Sequence, residues 1–156
     1  MKKVRKMVML FTLGVICILT GCYAEETPVA TKQPENEYIS DMKKGTIGST
    51  GIKLGEAFNS FFVSPSYKYF VSNDERKIIE CVGYCRVNDI QTQVTMQFAV
   101  SNACNTQNPV INGVRNTYEM IYMEYNGITW GNYIMLQTME TIVDSYRRSP
   151  KSSNSY

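Results

Sequence analysis

The cysteines are the residues whose chemistry has to be considered first. The 156-residue chain holds five of them and no histidine. Cys81 and Cys85 lie four residues apart in "ECVGYC", a spacing that suggests a disulfide or a metal site. On an extended strand, however, four residues span about 13 Å, whereas a disulfide needs Cα atoms within about 7 Å. We therefore predict that both are small core residues, unbonded to each other, facing Phe98 and Val94.

Cys104 leaves one alternative open. It follows the second predicted strand, so a disulfide with Cys81 or Cys85 would require its loop to fold back. Beyond the N-terminal segment the sequence has only these three thiols, and without a histidine or a fourth thiol they do not complete a zinc site. We predict no metal site and no cofactor.

The lack of histidine also removes the commonest general base, and with it any Ser-His or Cys-His nucleophile. The 14 Asp and Glu residues are scattered over polar segments, and none lies in an apolar window that would raise its pKa. The glycine-rich stretch "GTIGSTGIKLG" lacks the Lys-Ser/Thr ending of a phosphate-binding loop. We predict no catalytic residue and no enzymatic activity.

The N-terminal segment has the parts of a secretory signal. "MKKVRK" is basic, and the apolar residues 7–21 that follow would span only about 22 Å as a helix, less than the roughly 30 Å hydrocarbon core of a bilayer. The segment ends in "LTGC" (residues 19–22), which resembles the lipobox of bacterial lipoproteins. The resemblance implies cleavage before Cys22, acylation of Cys22 with a lipid such as palmitate, and a lipid-anchored location on the extracytoplasmic side of the cell membrane. The alternative is an uncleaved anchor helix with an incidental cysteine.

Charge gives no indication of a nucleic-acid partner. The leader carries four of the 16 Lys and Arg, so the remainder has 12 basic side chains against 14 acidic ones. Nucleic-acid binding needs basic residues clustered on one face. The predicted partners are therefore the membrane, through lipidated Cys22, and a protein of the cell envelope.

Composition divides the sequence into four segments. We predict a lipoprotein signal peptide (residues 1–21), a flexible tether rich in charge and proline (22–45), a single domain (46–147) and a disordered tail (148–156). About 100 residues can bury one modest core.

Hydrophobic periodicity predicts the elements of this domain. Residues 54–62 have the spacing of one helix face, and Tyr67 and Phe70 are interpreted as an aromatic turn behind that helix. Residues 76–87 and 92–101 are predicted to form a hairpin turning at Asp89-Ile90, residues 117–126 a third strand, and residues 132–148 a helix with an apolar stripe that includes Leu136 and Ile142. The fold class is therefore α+β, with an antiparallel sheet of three or more strands and an N-terminal and a C-terminal helix packed on one face.

Aromatic residues near the C-terminus are candidates for an interaction surface, because such side chains are enriched at protein interfaces. They fall in "TYEMIYMEYNGITWGNY" and are Tyr118, Tyr122, Tyr125, Trp130 and Tyr133. Ordinary core and sheet packing is the alternative for them.

Five short motifs resemble a family of small extracytoplasmic Firmicute domains without an assigned reaction: "GEAFNSFF", "PSYKYF", "IIECVGYC", "VTMQFAV" and "YNGI". The sequence departs from that pattern at Tyr67, where the family has tryptophan, and at Cys81, where it has phenylalanine. At fold level the family is similar to small helix-plus-sheet modules that include β-lactamase inhibitor proteins. The resemblance implies a protein-interaction or scaffold module. The alternative function is a ligand-binding or carboxylate-dependent hydrolytic envelope lipoprotein.

Overall fold

The computed structural model describes residues 35–101 and 107–149. In sequence order these residues form α1 (Glu37–Lys44), β1 (Thr46–Ile47), α2 (Leu54–Phe61), β2 (Val63–Val71), β3 (Lys77–Val87), β4 (Ile90–Ser101), β5 (Val110–Asn112), β6 (Thr117–Tyr125), β7 (Ile128–Thr129) and α3 (Asn132–Arg148). Every pairing is antiparallel, in the order β1-β5-β6-β4-β3-β2, with β7 added beside β6. The predicted α+β class with an antiparallel sheet is confirmed.

One hydrophobic core joins all three helices to the sheet. It takes alternate residues of β3 and β4, because successive side chains of a strand point to opposite faces. The largest fully buried side chains on the strands include Ile79, Met96, Phe98, Met120 and Met123, and those on the helices include Met42, Leu54, Phe58 and Ile142. Close packing extends to the backbone, since a Cβ at Gly83 would lie 2.6 Å from Cγ of Phe62.

The β3–β4 hairpin turns one residue earlier than predicted. Asn88 and Asp89 both have positive φ, 49° and 63°, the backbone of a two-residue hairpin turn that Asn and Asp tolerate best among non-glycine residues. Cys81 therefore pairs with Met96 and Cys85 with Thr92, instead of Phe98 and Val94. A shift of two residues in the partner strand leaves the faces unchanged, so both thiols are buried in the core as predicted, and they are free.

The prediction of a flexible tether over residues 22–45 is wrong for residues 37–44. They form α1, which Asn36 caps by accepting a hydrogen bond from the Tyr38 N–H at 2.9 Å. Acidic Glu37 opens the helix and basic Lys43 and Lys44 close it, as the helix dipole favours. Ile39 and Met42 are buried in the core. Charges on the other face of α1 give this segment the composition of a linker, although it is part of the domain.

The segment around Tyr67 and Phe70 is also different from the prediction. It is the edge strand β2, paired with β3 over residues 66–71, and not an aromatic turn. Exposed and half-buried residues alternate along it, which is typical of a strand at the edge of a sheet.

The C-terminal helix α3 is confirmed, with one correction to its buried face. Ile142 is fully buried, whereas Leu136 is 38% exposed and Thr138 is buried in its place. The Thr138 hydroxyl donates to the Ile134 carbonyl at 2.7 Å, so its polar group is satisfied inside the helix. The packed stripe is therefore rotated slightly from the one that hydrophobicity alone predicts.

The sequence of β6 is compatible with a strand partly covered on each side or with one at an exposed edge. In the structure β6 lies inside the sheet. It pairs with β4 on one side and with β5 and β7 on the other. An irregularity in its register opposite Gln97 and Phe98 brings Met120 and Met123, three residues apart, both into the core. This bulge explains the poor alternation of the sequence. Among the described residues, none of the helices is long and apolar enough to cross a membrane.

Candidate interaction surface

Tyr118 is not at the surface, contrary to the prediction. Its side chain is fully buried, and its hydroxyl lies 2.8 Å from Oδ2 of Asp41 and 3.1 Å from the carbonyl oxygen of Tyr38. Tyr118 therefore fits the alternative interpretation, in which these aromatic residues belong to the core. A buried tyrosine normally finds such a partner for its hydroxyl.

Asp41 is the centre of this buried polar cluster. Its carboxylate also accepts from the backbone N–H groups of Arg115 (2.9 Å) and Asn116 (3.1 Å). Burial by itself raises the pKa of Asp41, but hydrogen bonds from Tyr118, Asn116 and the backbone outweigh it and hold the pKa below its ordinary 3.8. Gly113 is needed beside it, because a Cβ there would lie 2.6 Å from Oδ2 of Asp41. The cluster therefore connects α1 to the segment before β6.

Tyr122 and Tyr125 are half-buried rather than exposed. The Tyr122 hydroxyl donates to Oε2 of Glu124 at 2.6 Å. The Tyr125 hydroxyl lies 2.5 Å from Oγ1 of Thr138, within hydrogen-bond distance. Both rings contribute to packing, and neither is presented as a whole to solvent.

Trp130 and Tyr133 are exposed, to 39% and 77%. The Trp130 ring leans on Tyr125, with 6.1 Å between ring centroids. These two are the members of the predicted set that the structure leaves available to a partner.

Three further apolar residues are exposed in the same part of the molecule. Val87 and Ile90 flank the β3–β4 turn, and Ile128 begins β7 after the tight turn at Asn126-Gly127. Hydrogen bonds between Gln93 and Asn126, at 2.8 and 3.0 Å, hold the two turns side by side. We refer to Val87, Ile90, Ile128, Trp130 and Tyr133 together as the apolar end. Sequence reasoning missed its aliphatic members because a turn is expected to be polar, and only their exposure reveals them.

A groove of about 510 Å³ opens at the apolar end. It runs between α3 and the ends of β3, β4 and β6, and most of its surface is apolar. Its lining includes Cys85, Val87, Val94, Trp130 and Ile134. Among the described residues, the single charged residue in its lining is Arg86, which is exposed. The arrangement suits an apolar side chain more than a polar substrate.

The two described thiols are poor nucleophiles. Burial raises the pKa of Cys81 to about 12, although the Tyr67 hydroxyl and Lys43 lower it somewhat. Burial also raises the pKa of Cys85. The reactive species is the thiolate, which neither residue forms near neutral pH. Cys104 and its proposed disulfide lie outside the described residues, as do Cys22 and the lipobox motif.

A second groove, of about 610 Å³, lies between α3 and residues 47–50 and 108–110. Leu136 and two carboxylates of α3, Glu140 and Asp144, line it. Both carboxylates are exposed, and Asp144 lies 3.7 Å from Nη1 of Arg147. Across residues 35–101 and 107–149 no group of three or more metal-ligating side chains comes together.

Comparison with known proteins found no matching family, no curated relative and no solved structure of similar fold. The resemblance to small extracytoplasmic domains therefore remains a prediction from the motifs alone.

Proposed function

We propose that this protein is a membrane-anchored extracytoplasmic lipoprotein that acts as a protein-interaction or scaffold module, without a reaction of its own. The observation that carries the proposal is the apolar end. It exposes five large apolar side chains, two of which, Val87 and Trp130, line an apolar groove. Exposed apolar groups that are close together mark interaction sites more often than singly scattered ones.

The composition of the apolar end supports a protein partner. Trp130 and Tyr133 are of the residue types that most often dominate binding energy in interfaces. Isoleucine and valine beside them add apolar area that a partner would remove from water, at about 25 cal/mol per Å². Trp130 already packs on Tyr125, so its ring is held in place before binding and loses little freedom on association.

The proposal includes the layer arrangement of the domain, with all three helices on one face of the sheet. The membership of the core supports it, because buried residues of α1, α2 and α3 share one cluster with the strand residues Ile79, Met96 and Phe98. In this arrangement α3 forms one wall of the groove and the sheet forms the other.

Site-specific photo-crosslinking in the native membrane tests the proposal. A photoreactive phenylalanine analogue is placed at Tyr133, which is 77% exposed, so the replacement disturbs no packing. After irradiation we expect a discrete higher-mass adduct with another envelope protein.

Val71 provides the matched control. It is 55% exposed and lies at the opposite end of the sheet, paired with Lys77. The same analogue at Val71 should give no such adduct. Equal adducts from both positions, or none from Tyr133, would contradict an interaction surface at the apolar end.

A further inference from the structure

The strand β2 is the longest strand at an edge of the sheet. Among the described strands it pairs with β3 alone, whereas β1 and β7, on the other side of the sheet, have two residues each. An unpaired strand edge is a template on which a further strand can form. Whether β2 can act in this way depends on the backbone groups along its free edge.

The β2–β3 hairpin determines which backbone groups face that edge. The Ser72 N–H donates to the Arg76 carbonyl at 2.9 Å, so these two residues form a hydrogen-bonded pair. Such pairs alternate with non-hydrogen-bonded ones along an antiparallel ladder, and the N–H and C=O groups of Tyr67, Tyr69 and Val71 therefore point away from β3. Within the described part of the chain, these outward groups have no hydrogen-bond partner.

The ammonium group of Lys68 lies over β2 itself. Its Nζ is 5.9 Å from the centroid of the Phe70 ring, which is two residues along on the same face of the strand. Glu80 is the cross-strand neighbour of Lys68 but forms no ion pair with it, and its carboxylate accepts from Nε2 of Gln97 at 2.9 Å. Because Lys68 is exposed, its positive charge is available to a partner at the edge.

Two further lysines lie near β2 on its other face. The Nζ of Lys77 is 4.7 Å from the centroid of the Tyr38 ring and donates to the Tyr38 hydroxyl, a neutral acceptor, at 2.5 Å. The Nζ of Lys43 is 5.1 Å from the centroid of the Tyr67 ring and forms an ion pair with Glu35 at 2.9 Å. Of the three ammonium groups beside the edge, those of Lys68 and Lys77 thus have no carboxylate partner among the described residues.

We propose that the free edge of β2 binds an extended acidic segment of another protein, which joins the sheet as an additional strand. The backbone of this segment exchanges hydrogen bonds with Tyr67 and Tyr69, and an Asp or Glu side chain of the segment lies opposite Lys68. The surface is on a different strand from the apolar end, so the inference goes beyond the proposed function.

The spacing of the outward groups selects an extended main chain. Outward-facing residues recur every two positions, about 6.6 Å along the strand, and a partner strand presents its donors and acceptors at the same interval. Lys68 lies between two such residues, in a non-hydrogen-bonded pair with the added strand, where facing side chains are closest. Opposite charges in such a pair are favourable and like charges are unfavourable. A second copy would bring its own Lys68 to the edge, so an acidic segment is favoured over a second copy.

The test uses the full-length protein in lipid nanodiscs and a phage-displayed library of random peptides. We expect selected peptides that carry an acidic residue between β-branched or aromatic residues. For a synthetic copy of such a peptide, Lys68→Glu should weaken binding about three- to tenfold. A peptide with lysine in place of the acidic residue should bind Lys68→Glu better than it binds the wild type, which separates lost pairing from lost folding.

Arg147→Glu is the matched control, because it makes the same reversal of charge at an exposed position of α3. It should leave peptide binding unchanged. Equal weakening by Arg147→Glu and Lys68→Glu would mean that only the net charge of the protein matters, and would overturn the inference.

Methylation of single backbone nitrogens of the peptide tests strand addition itself. A methyl group should abolish binding at alternate positions, where the peptide N–H faces β2, and should be tolerated at the positions between them. Equal effects at adjacent positions would contradict an added strand.

Trp130→Ala separates this inference from the proposed function. Peptides at the edge of β2 should bind this variant as tightly as the wild type, since Trp130 belongs to the apolar end. If every selected peptide loses binding with Trp130→Ala and none responds to Lys68→Glu, the inference is overturned, while the apolar end remains a protein-binding surface.

The photoreactive analogue at Val71, the last residue of β2, identifies the native occupant of the edge. It should capture the acidic partner in an adduct whose mass differs from that of the Tyr133 adduct, so Val71 still serves as the control for the apolar end. An adduct of twice the protein's own mass would identify a second copy at the edge. That result, or the absence of any adduct at Val71, would overturn the inference.

Discussion

At the scale of single residues, the buried carboxylate of Asp41 attaches α1 to residues 115–118. It accepts hydrogen bonds from two backbone N–H groups and two side chains, all from residues 115–118. A buried acceptor that lost these partners would bear a desolvation cost of about 1–3 kcal/mol. The short helix α1 is therefore attached to the sheet by polar as well as apolar contacts.

Asp41→Asn should lower the free energy of unfolding by about 1–3 kcal/mol at pH 7. The pKa of Asp41 is lower in the folded protein than its ordinary 3.8, so the ionised form stabilises the fold. That contribution is complete above about pH 4–5 and is lost as the pH falls through the folded-state pKa. Urea unfolding at pH 7 and pH 3 should show the two proteins becoming more alike at the lower pH.

Asp144→Asn is the control, because Asp144 is exposed and its ion pair with Arg147 at 3.7 Å is worth about 1 kcal/mol or less. A loss from Asp41→Asn no larger than from Asp144→Asn would mean that the buried cluster does not fasten α1.

At the scale of elements, the periodicity of the sequence predicts the long strands and α3. It does not predict features that depend on backbone geometry, such as the β3–β4 turn. The two long strands, the third strand and α3 are found where alternation and helical spacing place them. The predicted register of β3 and β4 is wrong by two residues, because Asn88 and Asp89 adopt a turn backbone that hydrophobicity does not encode. Periodicity does not reveal the short helix α1, because only Ile39 and Met42 mark its apolar side.

The candidate surface is predictable only in part for a similar reason. Aromatic content identifies Trp130 and Tyr133 but does not separate them from Tyr118, which the buried carboxylate of Asp41 holds inside. That contact joins residues 77 positions apart in the sequence. No local pattern reports a contact over such a distance.

Two substitutions on α3 test the corrected packing of this helix. Ile142→Ala should cost about 2–4 kcal/mol of unfolding free energy, since it removes a fully buried side chain. Leu136→Ala should cost about 1 kcal/mol or less, because Leu136 is 38% exposed. Thermal unfolding of the two variants compares them directly. Equal losses would place Leu136 in the core and would mean that α3 is rotated from the position described.

At the scale of the whole molecule, the proposal combines an N-terminal lipid anchor with a domain that carries a binding end. The predicted tether is shorter than its composition suggests, because residues 37–44 are helical. The part that could still act as a tether is residues 22–34, which lie outside the described residues. Thirteen extended residues reach at most about 45 Å, enough to hold the domain clear of the lipid headgroups.

Cys22→Ala should block acylation and processing, because the lipobox resemblance makes that thiol the site of lipid transfer. Intact-mass analysis of the membrane fraction should then find only the uncleaved precursor for the variant. For the wild type it should find a protein that begins at Cys22 with acyl groups added. Normal cleavage and no lipid on the wild type would contradict the anchor.

The measurement that tests the central claim most directly combines partner contact with stability. Ile90→Ser and Ile128→Ser are introduced together in the protein that carries the photoreactive residue at position 133. Both isoleucines are more than 60% exposed, at 65% and 62%, so each change should alter the unfolding free energy by about 0.5 kcal/mol or less. The melting temperature should therefore shift by less than about 8 °C, while the crosslinked adduct is lost. An adduct that persists at its original yield, or a domain that unfolds because of the two changes, would contradict an apolar end built for a partner.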